Sequence, residues 1–187
     1  MKKLLLVLLL PVVGLLASTA DVRAEAAPEF LFSIPSGLPV LSDPTGVAVD
    51  SNGNMYVALL EAAQVVKWSP SGRKDWSSGA FGSGEGQFDF LNYDAVNGSG
   101  NVYVADTNNH RIQKFDPAGN FLVKFGSVGP GDGQFFFPSD VAVDGSGNIY
   151  VADRGNDRIE KFDPSGNFLL KFGNGWPGDG RAPPPTT

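Results

Sequence analysis

The sequence predicts an all-β chain of four-stranded antiparallel sheets repeated in tandem, and three observations carry that prediction. Residues 147–173, GNIYVADRGNDRIEKFDPSGNFLLKFG, match residues 100–126 at 20 of 27 positions, 47 residues upstream. A more worn copy lies another 47 residues back at 53–79, where Tyr56, Val57, Ala58, Lys67, Pro70, Gly72 and Gly79 keep register. In each copy, short runs rich in valine, isoleucine, tyrosine and phenylalanine alternate with glycine, asparagine, aspartate and proline clusters, which is the spacing of hairpins. No helical period occurs after residue 27.

From the N-terminus, Lys2 and Lys3 precede an apolar run from Leu4 to Ala17 and then small residues, so residues 1–26 are expected to be a secretory signal peptide. The run is interrupted by Pro11 and falls short of the roughly 20 apolar residues of a spanning helix, so no stable membrane span is expected after cleavage. Ala24-Glu25-Ala26 fits the cleavage pattern, with competing sites at Ser18-Thr19-Ala20 and Val22-Arg23-Ala24. The expected location is secreted or periplasmic. Without residues 1–26 the chain keeps 11 basic and 18 acidic side chains, a net charge of −7. Its basic residues recur singly with no stripe, so nucleic acid is excluded as a partner. No cysteine is present, and stability must come from burial and sheet pairing.

Residues 27–36 are a short N-terminal segment in which Phe30–Pro35 resembles the last strand of a preceding unit and is expected to add an edge strand. The repeats then divide the chain into residues 37–90, 91–137 and 138–180, with a disordered proline-rich tail at 181–187. In the third copy the expected strands are Asp140–Val143, Asn148–Ala152, Arg158–Phe162 and Asn167–Phe172. Asp144-Gly145-Ser146-Gly147-Asn148 and its counterparts from Asn97 and Asp50 put glycine where φ must be positive, making the first two strands a tight hairpin. Asp163-Pro164-Ser165-Gly166-Asn167, with its counterparts from Asp116 and Ser69, does the same for the last two strands, proline setting φ. Four antiparallel strands repeated at this period form the blade of a β-propeller, whose neighbours pack face to face.

The blade resembles the NHL repeat. Its pattern is present in Gly133-Gln134-Phe135, Val141 to Asp144, Tyr150 to Asp153, Arg158 to Phe162 and Asp163 to Phe168, and again 47 residues upstream. The resemblance covers residues 37–180. It implies that the b-c turns and d-a loops of the blades share one face, the family's usual ligand surface. Candidate binding residues on that face are Leu60, Glu61, Asn108, Asn109, His110, Arg154, Gly155, Asp157, Phe90 and Phe137. Phe88 and Phe135, which follow the repeated Gly-Gln, are expected to pack between blades, whereas Phe90, Phe136 and Phe137 lack that constraint.

Asp106 and Arg111 in blade 2, and Asp153 and Arg158 in blade 3, become Leu59 and Gln64 in blade 1. Joint loss of both partners marks them as structural pairs, expected to form bidentate ion pairs that hold the b-c turn.

Enzymatic chemistry is sparse. His110 is the one histidine, so three-histidine zinc is excluded, and its position in a variable turn suggests a solvated residue. The metal-binding histidines of the NHL-like amidating lyases are not supplied. No catalytic residue and no cofactor are assigned. Calcium could use Asp50, Asp144 or the Asp132 and Asp179 loops, but Asx turn caps explain those residues more simply. Gly173 to Gly178 satisfies GxGxxG without a following helix and is read as a d-a loop.

Three blades are half of a six-bladed ring, and the tail begins a fourth repeat at Trp176-Pro177-Gly178-Asp179 before departing from it. A partial or open propeller is expected, read as a fragment of a longer one, as half of a homodimer completing a ring, or as an open arc. The function expected is a non-catalytic exported binding module for a protein, peptide or glycan. The alternative is a fragment of a metal-dependent six-bladed enzyme of the lactonase or lyase type.

Overall fold

Alternation of apolar and polar residues becomes strand pairing copy by copy. The computed structural model describes residues 42–173. Blade 1 contains β1 (Pro44–Val49), β2 (Met55–Leu59), β3 (Gln64–Trp68) and β4 (Lys74–Ser78). Blade 2 contains β5 (Leu91–Val96), β6 (Val102–Asp106), β7 (Arg111–Phe115) and β8 (Phe121–Phe125). Blade 3 contains β9 (Pro138–Val143), β10 (Ile149–Asp153), β11 (Arg158–Phe162) and β12 (Phe168–Phe172). Each blade is a four-stranded sheet in sequence order, all pairs antiparallel, and none closes on itself. A 3-10 turn at Arg154–Asn156 is the one helical element among the described residues, and no helix there is long and apolar enough to cross a membrane. The signal peptide, the strand at Phe30–Pro35, Asp179 and the tail 181–187 lie outside the described residues.

The repeat extends to backbone irregularities. The third and fourth strands slip register at Lys67/Trp68, Lys114/Phe115 and Lys161/Phe162, always 47 residues apart. The hairpins close as their turn residues require: Gly147 N–H donates to Asp144 O at 2.9 Å, and Asp144 Oδ1 accepts the Ser146 and Asn148 amides at 2.9 Å. Asp50 repeats this arrangement, and its Oδ2 also accepts the Tyr56 hydroxyl at 3.1 Å. The Asp144 carboxyl is held below its ordinary pKa by the Asn148 side-chain hydrogen bond, against its slight desolvation. The Asp50 and Asp144 carboxylates thus cap their own turns.

The core lies between sheets. Tyr56, Ala58 and Val65 of blade 1 close on Leu91, Val102, Val104 and Phe115 of blade 2 around Phe88. Tyr103, Ala105 and Ile112 of blade 2 close on Val141, Ile149, Val151 and Phe162 of blade 3 around Phe135. Phe88 and Phe135 are completely buried, as expected. Each such side chain contributes about 2–3 kcal/mol by leaving water.

Candidate functional site

The site is built where each d-a loop meets the b-c turns. Loop 79–90 joins β4 to β5 and loop 126–137 joins β8 to β9. In the second, the Phe135 amide donates to Ser127 O at 2.8 Å, the Gly129 amide donates to Phe135 O at 3.1 Å, and Gln134 Oε1 accepts the Gly131 amide at 3.0 Å. The same bonds recur in the first loop at Phe88, Gly82, Gln87 and Gly84. Gly126 sits at φ 95° with the Phe135 ring where a Cβ would stand, so this position accepts only glycine. Buried Phe88 and Phe135 thereby anchor the loops.

Two residues further on, each loop turns a phenylalanine outward. Phe90 and Phe137 are 47% and 38% exposed, Phe136 is 42% exposed, and Phe90 and Phe137 adopt left-handed φ values of 58° and 55°. That conformation costs an L-residue about 1–2 kcal/mol and is best tolerated by glycine, asparagine and aspartate. Blade 1 has Asp43 at the equivalent place, with φ 53°. Backbone preference does not account for phenylalanine at either place, and at Phe90 burial does not either.

The b-c turn of blade 2 spans the two loops. The Thr107 amide donates to Phe90 O at 3.2 Å at one end. At the other end His110 Nδ1 accepts the Phe137 amide at 3.1 Å. The His110 ring stacks on Phe136 (centroids 5.5 Å, 8° between planes) and meets Phe137 edge-on at 4.7 Å. His110 is therefore a half-buried member of an aromatic cluster, not the solvated turn residue its sequence position suggested. Its φ of 54° matches Ala63 at 49° and Asp157 at 51°; this second left-handed position per repeat was hidden because histidine and alanine give no turn signal.

Beneath the rings, each Asp–Arg pair staples a turn to the loop before it. Arg111 Nε donates to Asp106 Oδ2 at 2.7 Å, its Nη1 to Ser83 O at 2.8 Å, and its Nη2 to Gly84 O at 2.7 Å and Gln87 O at 3.0 Å. Arg158 repeats this on Asp153, Pro130 O, Gly131 O and Gln134 O. The expected bidentate geometry is thus corrected: one guanidinium nitrogen serves the carboxylate and the others serve loop carbonyls. Asp106 Oδ1 accepts the Asp89 amide, and Asp153 Oδ1 accepts the Phe136 amide at 2.7 Å. Burial pushes the Asp106 carboxyl above its ordinary pKa, opposed by the Asp89 amide and Arg111.

Asn109 bonds Asp106 and Gly82 O, and Asn156 bonds Asp153 and Gly129 O, so both amides belong to the staple. Asn108 Nδ2 donates to Asp89 Oδ1 at 3.0 Å on the exposed rim. The Gly155 amide donates to Phe136 O at 2.7 Å, and the Leu60 amide to Asp43 O at 3.0 Å. Glu61, Arg154 and Asp157 are exposed at the turn tips. Among the described residues, no three histidine, aspartate or glutamate side chains converge on a metal-sized site.

Comparison with known proteins adds a repeat-model match and a likeness of fold. The NHL repeat model matches residues 95–115 and 135–162. No curated protein matches the sequence. A streptogramin B lyase structure superposes with a TM-score of 0.57 at 18% identity, over 73% of this chain and 42% of that one. A catalytically inactive virginiamycin B lyase from Staphylococcus aureus with quinupristin gives 0.58 at 14% identity, over 75% and 44%. Hydrazine synthase from Kuenenia stuttgartiensis gives 0.57 at 13% identity, over 71% and 36%. The likeness is one of propeller-type fold, and the chain spans less than half the length of these structures.

Proposed function

The chain carries NHL repeats in a propeller-type all-β fold, and from that premise we propose that it is a non-catalytic, exported binding module recognising a protein, peptide or glycan through its b-c and d-a loop edge. One observation carries the reading: Phe90, Phe136 and Phe137 stand exposed on the edge spanned by Thr107 to His110, two of them in a backbone conformation that disfavours phenylalanine. Strain of this kind persists where the surroundings over-determine it and clusters at ligand clamps. Flat, half-exposed rings suit the faces of sugar rings or apolar peptide side chains, and Asn108, Arg154 and Asp157 supply polar contacts at the rim. The rings stand on stapled loops, so little ordering entropy is lost on binding.

The test is capture from glycan arrays and peptide libraries by the purified chain and by a Phe90→Ser/Phe137→Ser variant. A ligand that the wild type holds at least about ten times more tightly supports the reading. Equal capture by both proteins removes it. The alternative, a fragment of a metal-dependent lactonase- or lyase-type enzyme, draws on fold likeness alone. Calcium or zinc retained stoichiometrically through purification would favour it.

A further inference from the structure

Blades 2 and 3 differ at one wholly buried polar position, Gln113 in β7 and Glu160 in β11, and the surroundings of that position are those of an amide. Gln113 Oε1 accepts the Gly86 amide at 2.9 Å, while its Nε2 donates to Gln87 O at 2.6 Å and to Asp106 Oδ2 at 3.0 Å. In blade 3 the corresponding groups are the Gly133 amide, Gln134 O and Asp153 Oδ2. Glu160 Oε1 accepts the Gly133 amide at 3.4 Å and stands 3.2 Å from Arg158 Nη2. Glu160 Oε2 is buried with no partner. The repeat places two acceptors and no donor where that oxygen takes the role of Nε2.

We propose that Glu160 is held as a neutral carboxylic acid, its Oε2–H taking the donor role of the Gln113 amide, so that one proton sets how firmly blade 3 grips loop 126–137. The charged neighbours leave the balance with burial. Arg158 on the same strand favours ionisation, but it also serves Asp153 and three loop carbonyls. Asp153 on β10 and Asp132 on the loop oppose ionisation, while Lys171, paired with Glu160 across β11 and β12, is engaged by Asp132 at 2.7 Å. Burial, the leading cause, pushes the Glu160 carboxyl up to about 7. Ionised, it would set two carboxylates and the Gln134 carbonyl against each other behind the loop that presents Phe136 and Phe137. The reach of this switch to ligand affinity rests on the binding role proposed for that edge; the proton itself does not.

The experiment therefore reads the proton and the loop without a ligand. Carboxyl carbon NMR on 13C-glutamate-labelled protein should show one resonance, absent from Glu160→Gln, that titrates more than one pH unit above the other glutamates. The wild-type Tm should fall relative to Glu160→Gln by about 5–10 °C between pH 5 and pH 8.5. Amide exchange in loop 126–137, corrected for intrinsic pH dependence, should accelerate over that range in the wild type and less in the variant. A Glu160 resonance titrating with the other glutamates, or parallel melting profiles of the two proteins, overturns the proposal. NMR on the wild type keeps the proposal testable should the variant fold poorly.

Discussion

Single residues decide where this fold is under strain. Phe90 and Phe137 occupy left-handed positions that Asp43 fills without penalty in blade 1. Phe90→Asn is therefore expected to raise stability by about 0.5–1 kcal/mol while weakening ligand capture, since asparagine tolerates that conformation, whereas Phe137 is also held by its ring contacts with His110 and Phe136. Denaturant unfolding of the variant measures the first effect, and a loss of stability would contradict it. Asp94 is a second strained point. It stands where blades 1 and 3 have Val47 and Val141, it is 7% exposed, and neither of its carboxylate oxygens has a partner. Burial pushes its pKa up to about 7, against an ordinary 3.8. Below about pH 4 both folded and unfolded chains hold this proton and there is no penalty. Between about pH 4 and 7 only the folded chain holds it, so stability falls as pH rises and then levels off. Asp94→Val should thus stabilise by about 4 kcal/mol at pH 8 and by clearly less at pH 5. Equal gains at the two pH values would show that Asp94 is ionised in the fold.

Among the elements, the unit of construction is a b-c turn stapled to the loop before it. Arg158 is almost fully buried and bonds Asp153 and three carbonyls, so Arg158→Ala should cost about 3–5 kcal/mol, as for a buried pair broken on one side. A double-mutant cycle of Asp153→Asn and Arg158→Lys should give a coupling of at least about 1 kcal/mol in chemical denaturation. Additive losses would mean that the aspartate and arginine act separately. The staple was half legible in the sequence. The coordinated replacement of Asp106 and Arg111 by Leu59 and Gln64 pointed to a pair, but the carbonyls of residues 83, 84 and 87 that take up the guanidinium leave no trace in side-chain identity. Asn109 and Asn156 were obscured for a related reason, because an asparagine in a turn looks the same whether its amide faces solvent or a carboxylate.

Over the whole molecule, identical residues meet different fates according to which blade they serve. Tyr103, Ala105, Ile112 and Phe125 recur as Tyr150, Ala152, Ile159 and Phe172, yet Ile112 is buried against blade 3 while Ile159 and Phe172 are 38% and 53% exposed. Ile112→Asp should destabilise by about 4 kcal/mol or more, whereas Ile159→Asp should change stability by about 1 kcal/mol or less. Thermal melting of the two variants compares the same substitution in the same local sequence. If a second copy covers this face, light scattering on the 187-residue chain should report a dimer that Ile159→Asp dissociates. A wild-type monomer across the micromolar range would remove the dimer.

The sequence by itself determined the strands, the turns, the 47-residue unit and the buried Phe88 and Phe135, because period-2 alternation and glycine placement act within a few residues of where they are written. Tertiary structure alone decided that His110 stacks between blades, that Asn109 belongs to the staple, and that Glu160 Oε2 and both Asp94 carboxylate oxygens lack partners. Those outcomes depend on backbone groups brought from some 20 to 50 residues away and on what the neighbouring sheet covers. A carboxylate in a strand looks solvated until a loop or a neighbouring sheet covers it; here loop 126–137 lies against Glu160 and the fold leaves Asp94 only 7% exposed, so two of the repeat's few polar deviations become its titratable points.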